Sequence, residues 1–181
     1  IVPSDVSWND GGVVADPLPV PHAAAVDGHA VESVARVLRS GAPALLLLAG
    51  AAAFDEAQGL AWRVAQASGA RLMLDFVTPQ VQRGRGRLPL DRVPYNTDHA
   101  IAALAPFEHI VLIGAKSPVG FFAYPGKPSS HIRPDAQVHV LSRPEQDPLA
   151  ALRALADALG APDAAPPDPG PRPEPGRGAP T

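Results

Sequence analysis

The sequence predicts an α/β fold in which helices cover a mostly parallel sheet, and two patterns predict it. Ala44–Ala49 (ALLLLA) and His109–Ala115 (HIVLIGA) are apolar almost throughout and meet a glycine at their C-terminal end. Strands buried on both faces look like this, and such strands belong to parallel sheets. Between the apolar runs lie stretches whose hydrophobic residues recur at three and four positions, the spacing of amphipathic helices. Strands alternating with helices build βαβ units, so the expectation is a three-layer, Rossmann-like domain.

The elements follow in order. Ile1–Trp8 (IVPSDVSW) reads as the end of a strand entering a loop, and Asn9–Pro21 carries Gly11, Gly12, Pro17, Pro19 and Pro21, which is linker chemistry. Residues 1–21 are therefore expected to be a lead-in, and residues 22–160 the domain. From Gly28 the pattern turns helical: Ala30, Val31, Val34, Val37 and Leu38 share a face opposite Glu32, Arg36 and Arg39. Asp27 suits the N-cap, since its carboxylate accepts from free first-turn amides, and Gly41 with Pro43 beyond suits the stop. After the first buried strand, a helix over Asp55–Ser68 closes at Gly69. Arg71–Val77 (RLMLDFV) is the next strand, less uniform because of Arg71 and Asp75.

A polar stretch, Thr78–Pro94, leads to a short helix at Thr97–Leu104 and the strand His109–Ala115. The Gly/Pro-rich loop Lys116–Pro134 precedes a strand at Gln137–Leu141 and a helix over Pro148–Leu159, with Leu149, Leu152, Ala156 and Leu159 on one face. Residues 161–181 read as a Pro-rich linker or tail. Pro162–Thr181 has eight prolines in twenty residues and no hydrophobic pattern, too little to offset the entropy of ordering.

Composition removes several function classes. The formal charge of -3 and charged fraction of 18% leave no polybasic surface for nucleic acid. Zero cysteines exclude disulfides and thiolate-bound metal and fit a cytoplasmic protein. The longest apolar run, around Ala42–Ala53, is too short to span a bilayer. No signal-peptide pattern opens the chain, which begins with Ile1 and so looks like a segment of something longer.

In an open parallel sheet, ligands sit beyond the carboxyl ends of the strands, near the switch in strand order. Gly50–Ala53, Phe76–Thr78 and Gly114–Ser117 have that address. Their small residues admit a ligand to the backbone, but tight strand-to-helix turns need them equally. The dinucleotide fingerprint is missing, since Gly50-Ala-Ala-Ala-Phe-Asp replaces G-x-G-x-x-G and no acidic residue clearly plays the ribose partner. Gly120–Lys127 has five residues between its glycines and Pro128 after the lysine, so it is no phosphate loop. The histidines lack zinc-ligand spacing and no G-x-S-x-G elbow anchors a triad. Arg83, Arg85 and Arg87 alternate with glycine, as an anion grip or as a solvated rim. Phe121, Phe122 and Tyr124 concentrate aromatics in one loop, and such residues are expected to face a partner domain.

In order, Val2–Trp8, Ala44–Gly50, Val93-Pro-Tyr95, His109–Pro118 and Phe122–Pro128 resemble the central domain of thiamine-diphosphate-dependent enzymes, in the acetolactate-synthase large-subunit-like branch. The resemblance covers roughly Ile1–Gly160. It implies the DHS-like NAD/FAD-binding variety of Rossmann-like fold. It also implies a longer enzyme in which a pyrimidine-binding domain precedes and a pyrophosphate-binding domain follows, with thiamine diphosphate and Mg2+ held between subunits of a homodimer or tetramer. The family's catalytic glutamate lies in a domain absent here. Its Gly-Asp-Gly…Asn motif is absent too, since Ala25-Val-Asp-Gly28 lacks the first glycine and no asparagine follows at the family's spacing. Some members bind FAD in this domain and others an adenine nucleotide. Gly50, Ala51, Ala52, Gly114, Ala115 and Lys116 match by position the turns that carry it. Ala51 and Ala52 stand where the flavin pattern has glycines, and Lys116-Ser117-Pro118 where it has an arginine-led acidic stretch. The expectation is a non-catalytic scaffold and subunit-contact domain, the alternative a module binding FAD, ADP or a CoA portion.

Overall fold

The structure is a computed structural model that describes residues 3–167. Its elements are α1 (Ser4–Trp8), α2 (Gly28–Arg39), β1 (Ala44–Leu48), a 3-10 turn at Gly50–Ala53, α3 (Asp55–Ser68), β2 (Arg71–Leu74), β3 (Asp91–Arg92), α4 (Thr97–Leu104), β4 (His109–Ile113), β5 (Gln137–Ser142) and α5 (Pro148–Leu159). The five strands are all parallel, in the order β3-β2-β1-β4-β5. The expected α/β class is therefore observed.

The ends of the helices follow from named side chains. The Asp27 carboxylate accepts from the His29 amide at 2.9 Å and starts α2. Asn96 does the same for α4, and Asp147 for α5, where Pro148 fills the first helical position. On α2, Val31, Val34, Ala35 and Leu38 are buried, which is the face the spacing predicts.

Two separate cores flank the sheet. On one face, Leu46, Leu48, Leu74, Val111, Ile113 and Leu141 meet the apolar sides of α2, α3 and α5. On the other, Leu45, Leu47, Ile110 and Leu112 meet Ala100 and Leu104 of α4, with Val93 and Phe107.

The opening of the chain departs from expectation. Ser4–Trp8 is a short helix, not a strand end. A strand needs a neighbour to pair with, and here the amides of Ser7 and Asn9 bond instead to the carbonyls of Pro3 and Asp5. The strand at Arg71 is also shorter than its apolar run. The Asp75 amide still donates to the Leu48 carbonyl, and the chain then turns.

Of the segment expected as linker or tail, residues 161–167 run against α3. The Trp62 indole donates to the Ala165 carbonyl at 3.0 Å, and Arg63 donates to the Ala161 and Pro162 carbonyls and pairs with Asp163. The rest of that expectation, residues 168–181, lies outside the described residues.

Candidate functional site

The chain runs outward from β1 to β2 and β3 on one side, while β4 and β5 lie on the other. The switch in strand order therefore falls between β1 and β4, and the turns leaving them part in opposite directions. A cavity of about 500 Å³ opens there. Gly50, Asp75, Phe76, Gly114, Lys116 and Phe121 are among the residues that line it.

The two glycine turns are tightly built. Gly114 has φ +62, and a Cβ there would sit 2.7 Å from the Ala49 carbonyl oxygen, so only glycine fits. Its amide donates to the Ser142 carbonyl at 3.0 Å and lies 3.1 Å from the Ser142 hydroxyl. Gly50 also has positive φ, +55, yet a Cβ there would meet only the Gly114 carbonyl, at 3.9 Å.

The structure divides the six residues singled out in the sequence. Gly50, Gly114 and Lys116 come together on the cavity wall. Ala51 points to solvent, Ala52 is in the core under α2, α3 and α5, and Ala115 is in the core under α4.

The cavity is poor in groups that hold an anion. The helix after Gly50 begins with Asp55 and Glu56, whose carboxylates oppose an anion at its positive end. The Asp55 amide is taken by the Gln82 side chain at 2.6 Å, and buried Gln58 ties the Ala53 and Gln82 carbonyls together. The arginines that follow β2 in the chain are occupied as well: Arg83 donates to the Leu90 carbonyl, Arg92 to the Thr78 carbonyl, and Arg87 pairs with Asp55. Lys116 is the cation among the lining residues.

Asp75 is the residue that sequence reasoning passed over. It stands at the end of β2, buried on the cavity wall, and burial raises its carboxyl above the ordinary value. The Phe76 and Val77 amides and the Arg92 guanidinium pull the other way. A carboxylate at the end of the second strand is where a dinucleotide fold grips the ribose. Its signal was present as the charged interruption of RLMLDFV.

Beside the cavity, the loop after β4 folds back on itself. Val119 pairs with Ser130, the Gly120 amide donates to the Ser129 carbonyl, and His131 is buried behind them with neither ring nitrogen hydrogen-bonded. Burial holds the His131 imidazole below its ordinary value. The tip carries Phe121, Phe122 and Tyr124, all exposed. Lys127 anchors the tip to α4 through Asp98 at 2.7 Å.

No helix among the described residues is long and apolar enough to cross a membrane, and those residues hold no cluster of three or more His, Asp or Glu suited to a metal.

No protein-family model matches the chain. It is 44% identical over 155 residues to IlvX of Mycobacterium tuberculosis (strain ATCC 25618 / H37Rv), which carries the name of an acetolactate synthase large subunit. That alignment covers 84% of this chain and 30% of IlvX, so the chain spans about a third of the relative's length. Two solved structures share the fold. One, from Mycobacterium smegmatis, is described as a thiamin diphosphate-dependent enzyme and matches at TM-score 0.56 and 18% identity, over 86% of this chain and 32% of its own. The other is the thiamine diphosphate-dependent 4-hydroxybenzoylformate decarboxylase of Rhodococcus jostii RHA1, at TM-score 0.59 and 19% identity, over 89% and 33%. The chain is thus similar over most of its length to one segment of a protein named as an acetolactate synthase large subunit, and it shares its Rossmann-like fold with a segment of two thiamine-diphosphate-dependent enzymes.

Proposed function

We propose that this chain is the non-catalytic central domain of a thiamine-diphosphate-dependent enzyme, holding two cofactor-binding domains in place and contributing subunit contacts. The observation that carries the reading is a crevice at the switch point that offers one lining cation, Lys116, while the anion-binding groups of the helix and loop that follow Gly50 are engaged elsewhere. Gln82 occupies the first amide of α3, Asp55 and Glu56 sit on its first turn, and three arginines are engaged elsewhere.

The chemistry of the longer enzyme belongs to residues outside this chain. Thiamine diphosphate and magnesium do not fit here. Asp27, the carboxylate nearest to the family's metal motif, is engaged in capping α2, and Val26 stands where that motif has its first glycine. The whole enzyme, on this reading, removes carbon dioxide from a 2-oxo acid and releases the product or joins the acyl unit to an acceptor. It works as a dimer or tetramer in the cytoplasm. An assay for thiamine-dependent consumption of pyruvate by the 181-residue chain is expected to show none. Turnover by the chain alone would overturn the non-catalytic reading.

One observation favours a second reading, in which the crevice takes a nucleotide. Asp75 is placed to accept from a ribose hydroxyl, beside the small turns at Gly50 and Gly114. Titration calorimetry with FAD, ADP and coenzyme A separates the two. Binding that weakens at least tenfold in Asp75→Ala supports the nucleotide module, and no heat at millimolar ligand supports the scaffold.

A further inference from the structure

Five aromatic rings from three separate segments meet at the carboxyl edge of the sheet. Phe76 follows β2, Tyr95 precedes α4, and Phe121, Phe122 and Tyr124 lie on the loop after β4. They form a continuous run of edge-on and tilted contacts. Phe76 meets Tyr95 at 5.9 Å and Phe121 at 6.5 Å between ring centroids, and Phe121 meets Phe122 at 4.7 Å. Phe122 meets Tyr124 at 6.1 Å.

The run begins in the core and ends in solvent. Phe76 packs against the core beneath α4, whereas Phe121, Phe122, Tyr95 and Tyr124 are 60%, 58%, 56% and 42% exposed. Together these four leave on the order of 400 Å² of aromatic surface open to water, as large as the biggest patch on an ordinary monomer. The same sheet face is open at its other margin. Val138 and Val140 of β5 lie beside Ile110 and Leu112 in register, and both are exposed.

We infer that this aromatic ridge is a docking surface for another domain of the same polypeptide, one that presents an apolar patch with carbonyl or hydroxyl groups placed for the two phenols. The inference rests on the reading of the chain as a central domain. The relative that matches at 44% identity carries more than twice as much chain again outside the matched part, since the match covers 30% of it. Charge allows the contact. Lys127, beside Tyr124, is neutralised by Asp98, so that charge need not be desolvated unpaired. A ridge of this size supplies roughly half of one partner's share in a standard interface, enough for its central aromatic anchors.

Hydroxyl-radical footprinting read by mass spectrometry tests this without any substitution. Phe121, Phe122 and Tyr124 are to be compared in the intact gene product and in the 181-residue chain, each at two concentrations tenfold apart. Oxidation is expected to fall at least fivefold in the intact product, to the same degree at both concentrations. Equal oxidation in the two proteins overturns the proposal, as does protection that appears only at the higher concentration, which assigns the ridge to a second copy. Thiamine diphosphate binding by the intact product, measured by calorimetry, separates the two layers. A product that protects the ridge but takes no cofactor breaks the enzyme-class reading alone. One that takes the cofactor with the ridge exposed breaks this proposal alone.

Discussion

The two faces of the sheet are finished to different degrees. Three helices of twelve or more residues close one face, and a single eight-residue helix covers the middle of the other. Beneath α2, α3 and α5 the core is aliphatic and continuous, and the helix surfaces above it are polar with ion pairs such as Arg153–Glu56. On the α4 side the apolar core runs out into exposed aromatics at one end and exposed valines at the edge. Folding energy is therefore concentrated on the first face, and surface with a use for a neighbour on the second.

That contrast predicts unequal costs for the same deletion. Leu152 of α5 and Leu104 of α4 are both almost fully buried. Leu152→Ala leaves a cavity walled in by three helices and the sheet, and is expected to cost about 4 kcal/mol, near the top of the range for such truncations. Leu104→Ala opens beside a short helix that can settle inward, and is expected to cost about 2–3 kcal/mol. Denaturant unfolding of both variants gives the ranking, and a costlier Leu104→Ala would break the comparison.

The turns at the crevice join the two faces, and they differ in the same measurable way. Gly114→Ala places a methyl 2.7 Å from the Ala49 carbonyl oxygen at a left-handed φ, so both backbone strain and a steric clash apply. About 3 kcal/mol is expected. Gly50→Ala carries the left-handed strain with nothing closer than 3.9 Å, for about 1 kcal/mol. Equal losses would mean that the close approach of the two turns is not what fixes Gly114.

Much of the fold could be read from the sequence because its signals are local. ALLLL and HIVLI are short apolar runs that end near glycine, which favours buried strands, and the spacing along α2 and the proline opening α5 mark helices without help from neighbours. The parts that escaped are non-local. The two-residue β3 is polar, and pairing with Met73 and Leu74 alone makes it a strand. The helix at Ser4–Trp8 reflects the lack of any strand beside it. At the crevice, Gly50 and Gly114 announced themselves as glycines after apolar runs, while Asp75 looked like a blemish until β2 was set beside β1. The aromatic loop was visible as composition. Its union with Phe76 and Tyr95 depends on three segments converging.

Acid tests the comparison by another route. Burial lowers the titration of His131, and burial with the nearby His109 lowers that of His139, whose ring nitrogen lies 3.2 Å from that of His109. The fold thus prefers both imidazoles neutral. For a histidine depressed in this way the unfolded chain binds the extra proton first. The stabilisation is complete above the unfolded value of about 6.5 and is lost as pH falls through that value towards the folded one. Thermal unfolding is expected to move to lower temperature below about pH 6.5. His131→Gln and His139→Gln should each flatten part of that slope. An unchanged slope in both would place the acid sensitivity elsewhere.

The smallest effect is expected in the exposed part of the ridge. Phe122 touches Phe121 and Tyr124 but is more than half open to water, so Phe122→Ser forfeits one or two edge-on ring contacts and little burial. In the 181-residue chain that change is expected to cost about 1 kcal/mol or less, and to reduce binding of a hydrophobic dye that reports exposed apolar surface. A loss as large as that of Leu104→Ala would mean that the ridge holds the α4 face together from within. A small loss leaves the side chain without an internal role that matches its size, because aromatic surface held in water is costly unless something covers it. The side chain that contributes least to this domain is then the one that most needs a neighbour, and the difference between the two faces becomes a division between holding the domain together and joining it to the next.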